Sequence, residues 1–79
     1  VKQMDVCLDR VFLELKPLPN SKWKAMIVLD HLLLVYHYTH YVLGYDIKTH
    51  TVFHEWWERP ADKRGLEAAK EYLKERFKT

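Results

Sequence analysis

Residues 22–58, KWKAMIVLDHLLLVYHYTHYVLGYDIKTHTVFHEWWE, constrain the fold more than any other part of this chain. Short runs of aliphatic and aromatic residues are interrupted by Asp30-His31, by Thr39-His40 and by Lys48-Thr49-His50. Hairpins favour connections of two or three residues between such runs. The segment is therefore predicted to form four antiparallel strands in one meander. Histidine stands in each connection where Gly or Asn is commoner, and it is among the non-glycine residues enriched at positive φ.

Two-residue loops at the first two turns place Leu29 opposite Leu32 and Tyr38 opposite Tyr41; Asp46 is placed opposite Thr51. Side chains alternate along a strand, so the faces follow from the register. One face collects Trp23, Ala25, Ile27, Leu29, Leu32, Leu34, Tyr36, Tyr38, Tyr41, Leu43, Tyr45, Ile47, Val52, His54 and Trp56. Apart from His54 it is apolar or aromatic, and it is the expected core face. The second face collects Lys22, Lys24, Met26, Val28, Leu33, Val35, His37, Val42, Gly44, Asp46, Thr51, Phe53, Glu55 and Trp57, of which half are apolar. Ile27, Leu34, Leu43 and Leu73 are expected to be buried together.

Helices flank the sheet. Val1, Met4, Leu8, Val11 and Leu15 recur at helical spacing, with Cys7 and Phe12 beside them, which predicts a helix over 1–16. Pro17 and Pro19 end it and open a linker over 17–21. Pro60 suits a first helical turn and Asp62 is a candidate cap. Leu66, Ala69, Leu73 and Phe77 then make the buried stripe of a C-terminal helix. The fold class is α+β: helix, four-stranded antiparallel meander, helix, with both helices expected on one sheet face.

At 79 residues, 48% of them hydrophobic, residues 1–79 make one small domain that can build a core without staples. Cys7 is the single cysteine, so no internal disulfide forms, as expected in the cytoplasm or another reducing compartment. No apolar run approaches the roughly 20 residues of a membrane span, so no membrane partner is expected. The first residue is Val rather than Met, which suits a trimmed chain or one excised from something larger.

Catalytic signatures are sparse. Five histidines invite a metal reading, but no HExxH, no Cys-His cluster and no closely spaced ligand pair stands in the chain. His31, His40 and His50 read as turn residues at the sheet ends, and His54 as a core histidine with a satisfied ring. His37 falls in a cross-strand row of Lys24, His37, Val42 and Glu55, too far from the carboxylate for general acid–base work. Cys7 reads as a small hydrophobe. Gly44 and Gly65 are too far apart to form a phosphate loop; Gly44 reads as a strand glycine and Gly65 as a site of close packing. No metal, no cofactor and no enzymatic activity are expected.

Function is therefore expected on a surface. Met26, Val28, Leu33, Val35, Phe53 and Trp57 form an apolar patch on the second face, and exposed patches of that kind mark interfaces. The expected occupant is a protein partner or a second copy of the chain, unless the first helix crosses over to cover that side. Nucleic acid is the alternative. Residues 59–79 hold seven Lys/Arg against four Asp/Glu, whereas residues 1–58 hold six against seven. Lys63-Arg64-Gly65-Leu66-Glu67-Ala68-Ala69 resembles the basic helix start of double-stranded-RNA-binding domains, with Glu67 where a basic residue would be wanted and one strand more than that fold has. The alternative places RNA or DNA contacts on Lys63, Arg64, Lys70 and Lys74 of the last helix, helped by Lys22 and Lys24.

Overall fold

A computed structural model describes residues 2–16 and 21–78. The elements run α1 (Lys2–Phe12), β1 (Trp23–Val28), β2 (Leu32–His37), β3 (His40–Asp46), β4 (Thr51–Glu55) and α2 (Pro60–Arg76). The four strands pair antiparallel in the order β1-β2-β3-β4. This is the α+β helix–meander–helix expected above. Val1 and most of the expected linker, residues 17–20, lie outside the described residues.

The first helix is shorter than predicted, and its own cap stops it before the prolines. Glu14 takes φ 57°, the left-handed conformation that closes a Schellman motif. The N–H of Leu15 donates to the carbonyl of Arg10 at 2.8 Å, and the N–H of Glu14 to that of Val11 at 3.3 Å. Met4 and Leu8 are buried, but Leu15 lies beyond the cap and is exposed, which removes it from the expected stripe.

The first turn decides the faces. Val28 pairs with Leu32 and Trp23 with His37, so the loop is the three residues Leu29, Asp30 and His31 rather than two. Leu29 and Asp30 both take positive φ, at 53° and 65°. One extra loop residue moves β2 by one position, and a period of two then exchanges its faces. Leu33 and Val35 are fully buried, His37 nearly so, and Leu34 is only half-buried outside the core cluster. The expected burial of Leu34 with Ile27, Leu43 and Leu73 is corrected accordingly. Leu33 takes that place.

Two bulges complete the rearrangement. Val35 pairs with Leu43 but Tyr36 pairs with Tyr41, so Val42 is an extra residue in β3. Val42 and Leu43 are both buried in the core, and Tyr41 swings to the opposite side. The turn that follows β2 is Tyr38-Thr39, with Tyr38 at φ 57° and well exposed. In β4, Tyr45 pairs with Val52 while Gly44 pairs with His54, so Phe53 is the extra residue. Asp46 pairs with Thr51, as expected.

The core joins Met4 and Leu8 of α1 to Leu66, Ala69 and Leu73 of α2 through Trp23, Leu33, Val35, Val42, Leu43 and Tyr45. Burial of such side chains is worth about 1.5–3 kcal/mol each. Gly65 lets α2 approach the sheet. A Cβ there would lie 2.8 Å from Cε2 of Trp23 and closer still to its Cζ2 and Cη2.

Candidate functional site: the outer sheet face and the histidine–aspartate cluster

Side chains that alternate with the core residues define the outer face. Met26 and Val28 come from β1, Leu32, Leu34 and Tyr36 from β2, Tyr41 from β3 and Phe53 from β4, and none belongs to the core cluster. Tyr36 and Tyr41 stack across strands at 5.4 Å, and Tyr41 stacks on His54 at 3.9 Å with only 10° between planes. A ring nitrogen of His54, Nε2, lies 3.0 Å from the carbonyl of Tyr41. His54 is therefore satisfied, but half-buried on the outer face rather than in the core. Phe53 folds over Gly44, where an added Cβ would meet Phe53 Cε1 at 2.6 Å.

Four of the six residues expected on the contact surface are accessible and two are not. Met26 and Phe53 are 45% and 50% exposed, and Val28 lies beside them. Trp57 is exposed but lies past the end of β4, in the connection to α2, with Nζ of Lys63 4.9 Å from its ring centroid. Leu33 and Val35 are buried because of the three-residue first turn. Their places on the surface pass to Leu32, Leu34, Tyr36 and Tyr41.

The basic residues of the alternative reading are dispersed. Lys70 is tied to Glu55 at 2.8 Å, and Lys63 covers Trp57. Lys74 is exposed on the same helix as Glu67, Glu71 and Glu75. Lys24 is exposed on β1. Lys22 and Arg64 line a shallow cleft with Arg59, Trp23, His37 and Tyr38.

A second constellation assembles where β2, β3 and the start of α2 meet. His37 and His40 are paired across the Tyr38-Thr39 turn. Asp62, in the first turn of α2, is fully buried between them. Its Oδ1 lies 2.5 Å from Nδ1 of His37 and 3.4 Å from Nδ1 of His40. Its Oδ2 accepts the backbone N–H groups of Glu58 at 3.3 Å and Arg59 at 3.0 Å, the acidic half of a capping box. Burial alone would raise the pKa of this carboxyl. The N–H of Arg59, the two imidazoles and the N–H of Glu58 outweigh it, and hold the group well below the usual carboxylate range. Trp23 stacks on His37 at 4.3 Å, and Trp56 meets His40 edge-on at 5.1 Å.

The expected placements of these groups need correcting. His37 faces inward, and Glu55 pairs with Lys70 rather than entering a row with it. His40 is the first residue of β3 rather than a turn residue. His31 and His50 do lie in turns, with His50 at φ 57°. Cys7 is half-buried, and burial pushes its thiol pKa up, which keeps it a poor nucleophile.

No family model matches the chain, and comparison with curated proteins and with solved structures likewise found no match. No helix among the described residues is long and apolar enough to cross a membrane.

Proposed function

We propose that the chain is a non-enzymatic interaction module that pairs with a second copy of itself through the outer sheet face. The observation that carries the reading is the run of Met26, Leu34, Tyr36, Tyr41 and Phe53 outside the core, with Met26 and Phe53 about half exposed. The shared core of α1 and α2 supports both helices lying on the opposite side, which leaves this face without a cover among the described residues.

A second copy suits the face better than other occupants. The middle row, Met26, Leu34, Gly44 and His54, carries no charge, while Lys24 on β1 and Asp46 on β3 stand in the two outer rows. A partner must therefore be apolar and near neutral, and a two-fold axis brings such a surface against itself. Two twisted sheets pack about 10 Å apart with interleaved side chains. Four strands about 4.8 Å apart and three rows about 7 Å apart give a plan area of about 400 Å². That is below the roughly 800 Å² per partner of a standard interface, so the dimer is expected to be weak and reversible.

Sedimentation velocity over a concentration series tests this, with the Met26→Lys, Phe53→Lys double variant as control and circular dichroism to verify its fold. Both positions are exposed, so folding is expected to survive. The wild type should self-associate at micromolar concentrations, largely independently of salt, and the variant should stay monomeric. A wild type that remains monomeric at several hundred micromolar refutes the reading, as does a folded variant that dimerises equally well. Steeply salt-sensitive binding to an RNA or DNA oligonucleotide would favour the basic residues instead.

A further inference from the structure

We propose that His37, His40 and Asp62 form a binding site for a divalent transition metal of the zinc class. The hairpin sets the two histidines opposite each other, and the start of α2 drives Asp62 between them. One ring nitrogen from each histidine and one carboxylate oxygen of Asp62 all lie within 4.8 Å of one another. Two imidazole nitrogens and one carboxylate oxygen are a donor set that zinc accepts, with a fourth position left for water or another ligand.

The arrangement exceeds what capping the helix requires. Asp62 already accepts three hydrogen bonds, from the N–H groups of Glu58 and Arg59 and from His37. The second imidazole, His40, is aimed at the same Oδ1 from 3.4 Å and takes no part in the cap. As a ligand set the convergence has a purpose. Oδ2 is fixed by two backbone donors, which orients Oδ1 toward the histidines, as outer partners do for metal-binding carboxylates. Trp23 and Trp56 hold the rings. The His40 side chain is 33% exposed, which gives an ion a way in. A divalent ion would also neutralise the charge of a fully buried carboxylate. Ligation needs both Nδ1 atoms unprotonated, so the proton His37 donates to Oδ1 passes to Nε2 or to solvent, and displacements of about 1 Å at the donors then give bonds of about 2.0–2.2 Å to one centre.

The full chain, stripped with a chelator, is titrated with zinc by calorimetry and with cobalt(II) by visible absorption. One ion per chain is expected at micromolar affinity or tighter, with the intense bands of tetrahedral cobalt. His40→Gln and Asp62→Asn should each weaken binding by at least about tenfold, since even outer-shell losses cost 10–100-fold. His31→Gln and His50→Gln, in exposed turns, should bind as the wild type does. His40 lies at the accessible edge of the cluster, so its variant decides the matter even if Asp62→Asn does not fold. Absence of zinc binding at about 100 μM, or equal loss from His31→Gln and His40→Gln, overturns the proposal.

Discussion

Gly65→Ala should destabilise the protein although it places a better helix former inside a helix. On an exposed helical surface this exchange gains about 1 kcal/mol. Here the new methyl meets the indole of Trp23, 2.8 Å from Cε2 and closer to two further ring carbons. Ordinary contact begins near 3.4 Å, so the ring must retreat by about 1 Å or more. It has little room. Trp23 is 5% exposed, its ring stacks on His37 at 4.3 Å, and His37 is bound to Asp62. Overpacking of a tight core costs about 1–3 kcal/mol, occasionally more. Taking the upper end against the propensity gain leaves a net loss of about 2 kcal/mol. For a domain of this size that is a fall of about 8–16 °C in Tm. Urea and thermal unfolding followed by circular dichroism measure it. A second variant, Trp23→Phe, frees space, so the double-mutant cycle should show a favourable coupling between Gly65→Ala and Trp23→Phe. A Gly65→Ala protein as stable as the wild type, or more so, would refute the claim that the backbone of α2 rests on this indole.

Leu33→Ala should cost about 2–5 kcal/mol in urea unfolding, and Leu34→Ala under about 1.5, because only the first opens a cavity in the core; the reverse order would restore the two-residue first turn. Tyr72 donates its hydroxyl to Asp9 at 2.6 Å, linking α2 to α1, and burial together with this carboxylate pushes its pKa up to about 12. The folded pKa thus exceeds the unfolded value of about 10, so its contribution is complete below pH 10 and lost as pH rises from there toward 12. Wild type minus Tyr72→Phe stability should narrow over that window, and a difference flat through it would contradict the linkage.

The strand count, strand order and both helices were legible because turn residues and prolines punctuate clear apolar periods. The face of β2 was not. Leu32, Leu33, Leu34 and Val35 are all apolar, so a slip of one residue costs almost no hydrophobic burial, and alternation cannot select a register. Discrimination comes from contacts distant in sequence: Trp23 against His37, and His37 against Asp62, 25 residues away. Bulges at Val42 and Phe53 broke the strict period of two in β3 and β4. Both lie close to Gly44, the one strand glycine, which was the available hint. The histidine–aspartate cluster depends on contacts of the same long range, 25 and 22 residues apart, and in the sequence alone Asp62 reads only as a cap. His37 and His40, flanking what proves to be a two-residue turn, were the signal that pairs them.

The outer face as a self-association surface is tested most directly by methyl NMR over a dilution series from about millimolar to micromolar concentration. The resonances of Met26, Leu32 and Leu34 should move together along one binding curve, while those of Leu33, Leu43 and Leu73 stay in place. Shifts independent of concentration, or changes confined to α2, would contradict the account.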